Sequence, residues 1–138
     1  KVAIVDGHLD SPSLADTLRL EIDCGWESLS PLIPVSEIAV QSLKDQCTIF
    51  PYLRSSDSKH TYEHGYQTLL ETITRQFDLV IIDGPSVSNS LQHFDVQTID
   101  SAVIVRDVRL GNFGAVREWS TQLSVAGLKS IGVVENHL

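Results

Sequence analysis

Two aspartates follow directly on short apolar runs. Asp6 comes after the run from Val2 to Val5, and Asp83 comes after residues 79–82. Continuous apolar runs of this length predict buried strands of a parallel sheet, and the ligands of such sheets collect beyond the carboxyl ends of the strands. Carboxylate oxygens are the ligands that Mg²⁺ prefers. Asp6 and Asp83 are therefore candidates for metal or phosphate chemistry, and the alternative is that each caps the helix or turn that follows it.

The rest of the chain alternates short apolar runs with longer amphipathic stretches. This alternation is typical of βαβ units and predicts a three-layer α/β domain with about five mostly parallel strands. Trp26 and Trp119 are predicted to pack in the core. The predicted strands are 2–5, 47–50, 79–82, 101–105 and 131–134, and the predicted helices are 13–20, 36–44 (a turn or two), 62–76, 91–98 and 113–126 with Gly127 as C-cap. Ser11 or Ser13 is the predicted N-cap of the first helix. Leu69, Leu70 and Ile73 are predicted to lie on the inner side of the helix over 62–76.

Composition sets the class of protein. The 138 residues are 42% hydrophobic and 20% charged, which is typical of one globular domain spanning 1–138. Acidic residues outnumber basic ones by 18 to 10, and this charge disfavours nucleic acid as a partner. Two cysteines are too few for a disulfide framework. No apolar run is long enough for direct membrane insertion. The chain lacks Met and begins inside a predicted strand, which indicates a piece of a longer protein.

Four segments together resemble one protein family. Residues 2–14, VAIVDGHLDSPSL, are similar to the second Walker motif of the bacterial tyrosine kinases of capsular and exopolysaccharide biosynthesis, which are deviant-Walker P-loop ATPases. Residues 77–87, FDLVIIDGPSV, resemble the Walker B stretch of these kinases. Residues 100–106 and 127–136 resemble their following strand and their last strand. The four segments occur in the order that the family has, and the resemblance extends over the whole chain.

The resemblance implies a site and a cellular setting. In the family, ATP and Mg²⁺ are the cofactors. Asp6 would be a base or metal ligand, Asp83 would be the Walker B carboxylate, and Asn136 would contact the nucleotide base. The expected location is cytoplasmic, at the inner face of the cell membrane as part of a longer protein. The expected partners are sister copies or a membrane-bound regulator of polysaccharide chain length.

Departures from the family pattern bear on activity. His8 and Asp10 stand where the family has a second Asp and an Arg, and no Gly-x-x-x-x-Gly-Lys-[Ser/Thr] loop occurs in the chain. That loop supplies the backbone N–H groups and the Lys that hold the phosphates. We therefore expect no cofactor on this chain alone, with Asp6 and Asp83 vestigial in a non-catalytic assembly or regulatory module. One alternative is an active tyrosine kinase or ATPase whose P-loop lies upstream of Lys1. Another is a receiver-like signalling module with Asp83 as phosphoacceptor.

The missing P-loop strand also affects the predicted sheet. In the family that strand lies between the strands that match residues 79–82 and 101–105. If both are buried, unpaired backbone groups would cost about 1–3 kcal/mol each, so we expect the two strands to pair directly. The strand order would then be 2-1-3-4-5. The alternative is an open slot in the sheet, with an unpaired edge that would favour dimerisation.

Overall fold

The computed structural model describes residues 1–30, 32–54, 62–85, 96–110 and 113–137. By their internal contacts they fall into two compact units, Lys1–Ser86 and Val87–Leu138. The fold class is α/β with a mostly parallel sheet, as the sequence predicted. The strands are β1 (Val2–Asp6), β2 (Val40–Ser42), β3 (Cys47–Phe50), β4 (Leu79–Asp83), β5 (Ser101–Asp107) and β6 (Ser130–Asn136); the α-helices are α1 (Leu14–Leu18), α2 (Tyr62–Ile73) and α3 (Phe113–Val125).

The first unit contains a four-stranded sheet of order β2-β3-β1-β4. Strand β1 runs parallel to both β3 and β4, while β2 is antiparallel to β3. Ala3 and Val5 are fully buried because β1 is an inner strand. Helix α2 buries Leu69, Leu70 and Ile73, the three residues that its apolar spacing predicted to face inward.

Strand β2 corrects one prediction. The amphipathic pattern of residues 36–44 predicted a helical turn, but the structure has an extended strand from Val40 to Ser42. The strand is three residues long and forms a hairpin with β3, whose turn includes Gln46 at a φ of 53°. Pairing with β3 therefore outweighs the weak local helical preference.

The second unit pairs β5 with β6 in parallel. Helix α3 packs on one face of this two-stranded sheet, and Gly127 follows the helix at a φ of 106°, as expected for its C-terminal residue. The core of this unit is formed by Val96, Ile104, Trp119, Leu123 and Leu128. Of the helix predicted over 91–98, residues 91–95 lie outside the described residues, and Val96–Thr98 form a 3₁₀ turn.

The predicted pairing of residues 79–82 with 101–105 is wrong. Among the strands that the structure describes, β4 and β5 belong to different sheets, so the order 2-1-3-4-5 does not form. The prediction assumed that both strands were buried on both faces. Instead Leu79 and Ile81 are 53% and 46% exposed, and Val103 and Val105 are 61% and 65% exposed. Water reaches these strands, so the cost assumed for unpaired backbone groups does not arise.

Candidate functional site

The two candidate aspartates lie side by side. Strands β1 and β4 are parallel, and Asp6 and Asp83 are direct partners in their register. Neighbouring strands lie roughly 4.8 Å apart, so both carboxylates project from the same face at the carboxyl end of the sheet. Their exposure differs: Asp6 is fully buried and Asp83 is exposed.

Asp6 makes an extensive set of hydrogen bonds. Its Oδ1 accepts from the backbone N–H of His8 and its Oδ2 accepts from the backbone N–H of Leu14, both at 3.2 Å. Leu14 is the first residue of α1, and the Ser13 side chain makes no capping bond there. Asp6 therefore ties the loop after β1 to the start of the next helix. This is the capping role that the sequence gives as the alternative for Asp6, and Asp6 takes it in place of the predicted cap Ser13.

Burial raises the pKa of the Asp6 carboxyl above its ordinary value. The two backbone N–H groups oppose this effect because they stabilise the charged form, whereas the nearby Asp83 carboxylate adds to it by repulsion. A carboxylate that is buried and faces a second carboxylate is the kind of group that a bound cation would stabilise. In this chain two backbone donors already bind its oxygens.

Trp26 also contacts the end of β1, a role that the sequence did not indicate. Its indole Nε1 donates to the main-chain oxygen of Asp6 at 2.8 Å, across 20 residues of sequence. The ring is fully buried, stacks on Tyr52 at 4.8 Å and lies 5.5 Å from Tyr66. The predicted core position of Trp26 is confirmed, but its hydrogen bond to the end of β1 has no local sequence signature.

Gly25 allows the chain before Trp26 to pass very close to the backbone of Pro51. A Cβ atom at Gly25 would lie 2.4 Å from the backbone oxygen of Pro51, so only glycine fits. The backbone N–H of Trp26 donates to that same Pro51 oxygen at 2.9 Å. The Glu27 carboxylate accepts from the backbone N–H groups of Gly25 and Leu53, both at 2.9 Å. These contacts fix the indole under the end of β1.

Asn136 is the last residue of β6 and the register partner of Asp107 in β5. It belongs to the second unit, and its implied contact with a nucleotide base stays a prediction. Next to it, Arg106 is buried, forms an ion pair with Glu135 at 2.6 Å and lies 3.4 Å from the ring centre of Phe113. The sequence analysis did not predict the ion pair of Arg106 with Glu135, although the two residues occupy matching positions near the ends of two parallel strands.

Within the described ranges, no group of three or more His, Cys, Asp or Glu side chains is placed to hold a metal ion. Asp6 and Asp83 supply two carboxylates, and the sequence has no phosphate-binding loop to complete them. In the part of the chain that the structure describes, no helix has the length and apolarity needed to cross a membrane.

Asp83 provides a direct test of the repulsion within this pair. We expect Asp83→Asn to change the free energy of unfolding by less than about 0.5 kcal/mol, or to raise it slightly, because the side chain is exposed and its charge opposes that of Asp6. The pKa of Asp6 should fall in the variant. Chemical denaturation and NMR titration measure the two effects, with Asp23→Asn as the matched exposed control. A loss above about 1 kcal/mol would show that the Asp83 side chain is structural.

Comparison with known proteins gives a clear result for the fold. No protein-family model matches the sequence, and no curated protein matches it. Solved structures do match. The VpsO kinase domain superposes with a TM-score of 0.84 at 20% identity, covering 100% of this chain and 70% of its own. The chimerical protein CapA2B2 gives 0.82 at 20% identity, covering 99% of this chain and 62% of its own.

The kinase domain of the Escherichia coli tyrosine kinase ETK gives a TM-score of 0.81 at 18% identity, and this chain spans 56% of it. The MinD cell division protein of Aquifex aeolicus gives 0.72 at 16% identity, again with 56% of its length spanned. The chain has the α/β fold of these kinase and MinD structures. The resemblance that the sequence motifs indicated is thus supported by the fold.

Proposed function

We propose that this chain is a tyrosine-kinase-like, P-loop-derived domain of an exopolysaccharide biosynthesis or export protein that acts as a non-catalytic assembly or regulatory module. The fold likeness to VpsO and ETK supports the kinase-like part of the proposal. The proposed location is the cytoplasmic side of the cell membrane. The proposed partners are sister copies or a membrane-bound regulator of polysaccharide chain length.

One observation carries the non-catalytic part. The Asp6 carboxylate is fully buried, and both of its oxygens accept backbone N–H groups. A base or metal ligand has to reach substrate or cation, whereas this carboxylate holds the chain in place. The residues at the other family positions agree with this role, because the neutral imidazole of His8 is a poor ligand for Mg²⁺ and the negative charge of Asp10 disfavours phosphate.

The proposal predicts very weak nucleotide binding. We expect the affinity of residues 1–138 for Mg-ATP to be weaker than about 1 mM, which corresponds to about −4 kcal/mol. Each missing charge-assisted contact of a phosphate loop is worth about 1.5–3 kcal/mol, and several are missing together. Isothermal titration calorimetry measures this, with the thermal unfolding of the same sample as proof of folding.

Micromolar binding of Mg-ATP would contradict the proposal. It would favour the alternative of an active ATPase, and Asp83→Asn would then lower the affinity. Binding that is absent from residues 1–138 and appears when a P-loop segment encoded upstream is included would also favour the active enzyme. Acetyl phosphate modifying Asp83 would favour the receiver-like module.

A further inference from the structure

Arg106 is a buried cation at the carboxyl end of β5. It is 8% exposed, and its register partner Glu135 stands one residue before the end of β6. Strands β5 and β6 are parallel, and the ligands of parallel strands collect beyond this end. Arg106, Glu135 and Phe113 all belong to the unit Val87–Leu138, so the contacts among them lie within one compact unit.

The guanidinium of Arg106 has more donors than its neighbours use. Its Nη1 donates to Glu135 Oε1 at 2.6 Å. Its Nε is buried and has no hydrogen-bond partner in the part of the chain that the structure describes. A buried donor without an acceptor is costly, and an ion that completes it is one of the few explanations for such a group in a folded domain. The Nε edge of a guanidinium is one of the edges that bind phosphate with two parallel N–H···O bonds.

The start of α3 lies against the same guanidinium. Phe113 is the first residue of this 13-residue helix, and its ring centre lies 3.4 Å from the Arg106 Cζ. A helix N-terminus carries a partial positive charge that favours anions, and the first turn of α3 has no acidic residue to balance it. The Glu135 carboxylate is 47% exposed, and Asp107 is already bound by Arg109. Positive charge at this place is therefore only partly neutralised.

Phe113 covers the guanidinium and is able to uncover it. Its ring stacks on Arg106, yet the residue is 70% exposed. An aromatic side chain that is mostly in water changes rotamer within nanoseconds, and a cation–π contact at such a site is weak. Rotation of the ring would therefore open the Arg106 guanidinium to a ligand without moving the helix.

We propose that Arg106 and the N-terminus of α3 form a binding site for a phosphate group, with Phe113 as its movable cover. The Nε edge of Arg106 and backbone N–H groups in the first turn of α3 donate to the phosphate oxygens, while Glu135 keeps Nη1. A phosphate matches two sets of donors better than a carboxylate does, because it has more oxygens and more charge. The site uses neither Asp6 nor Asp83 and needs no nucleotide, so it goes beyond the proposed function.

Inorganic phosphate is the probe, titrated into the isotope-labelled chain at constant ionic strength without Mg²⁺ or nucleotide. NMR spectroscopy follows the Nε–H resonance of Arg106 and the amide resonance of Gly114, which lies in the first turn of α3. We expect both resonances to shift in a saturable way, because each N–H group gains or adjoins a charged acceptor. Acetate should bind at least about tenfold more weakly.

Three variants separate the guanidinium from general charge. Arg106→Lys keeps the charge but lacks the planar fork, so phosphate binding, followed at Gly114, should weaken by at least about tenfold. Arg117→Lys changes an exposed arginine of the same helix and is the matched control, with unchanged binding. Phe113→Ala removes the cover, and we expect it to strengthen binding by about threefold.

Two results on the unaltered chain would overturn the proposal. These are the absence of a saturable shift of the Arg106 Nε–H at millimolar phosphate, and an equal affinity for acetate. Both are measured without a variant, so they hold whether or not Arg106→Lys folds. Equal affinity of an Arg106→Lys chain that circular dichroism shows to be folded, or weaker binding by Phe113→Ala, would also overturn it.

Discussion

Replacing Trp26 with alanine is expected to lower the free energy of unfolding by about 4 kcal/mol, because a fully buried indole leaves a large cavity. The change also removes the stacking with Tyr52 and the hydrogen bond to the main-chain oxygen of Asp6. Domains of this size are stable by about 5–15 kcal/mol, so this one change should remove between about a quarter and four fifths of the total. Urea denaturation followed by circular dichroism measures the loss.

Trp26→Phe separates packing from hydrogen bonding. Phenylalanine keeps an aromatic ring against Tyr52 but has no donor for the Asp6 oxygen, so we expect a smaller loss of about 1–2 kcal/mol. A loss below about 1 kcal/mol for Trp26→Ala would show that the contact between the loop and the end of β1 is not what holds this unit together.

The sequence predicted the elements that rest on local pattern. Strand β3 has the predicted bounds Cys47–Phe50, and α2 buries the predicted Leu69, Leu70 and Ile73. Apolar periodicity is enough to place such elements. The sequence also predicted that Asp6 and Asp83 each end a parallel strand, and in the structure the two residues are direct register partners.

Other features depend on contacts that are distant in sequence. The exposure of Leu79 and Ile81 is set by what packs on β4, and an apolar run of four residues looks the same whether it is an inner strand or an edge. The same holds for the partners of Asp6. Trp26 reaches it across 20 residues, and Leu14 across eight, so neither contact leaves a periodic trace in the sequence.

Asp6 is either a structural carboxylate or a vestigial ligand, and the two roles predict different stabilities for Asp6 variants. If the carboxylate is structural, Asp6→Ala should lower the free energy of unfolding by about 3 kcal/mol. It leaves the N–H groups of His8 and Leu14 without their acceptor, at about 1–3 kcal/mol each. Asp6→Asn keeps the size and one acceptor and removes the charge, so we expect a loss of about 1 kcal/mol. A vestigial ligand without a structural role would tolerate both changes equally.

The pH dependence of stability gives the same carboxylate a second, independent readout. Burial raises the pKa of Asp6 in the folded chain above the value of 3.8 that it has when unfolded. The folded state therefore binds the proton more readily, and the contribution of this group to stability is full below the unfolded pKa and is lost as the pH rises through the folded one. Lowering the pH from about 7 towards 4 should stabilise the wild type relative to Asp6→Asn, which has no carboxyl to titrate at this position. Denaturation curves for both proteins across this range measure the difference. The opposite slope would mean that the two N–H donors outweigh burial and hold the pKa down, and Asp6 would then be a stabilised anion of the kind that a metal site uses.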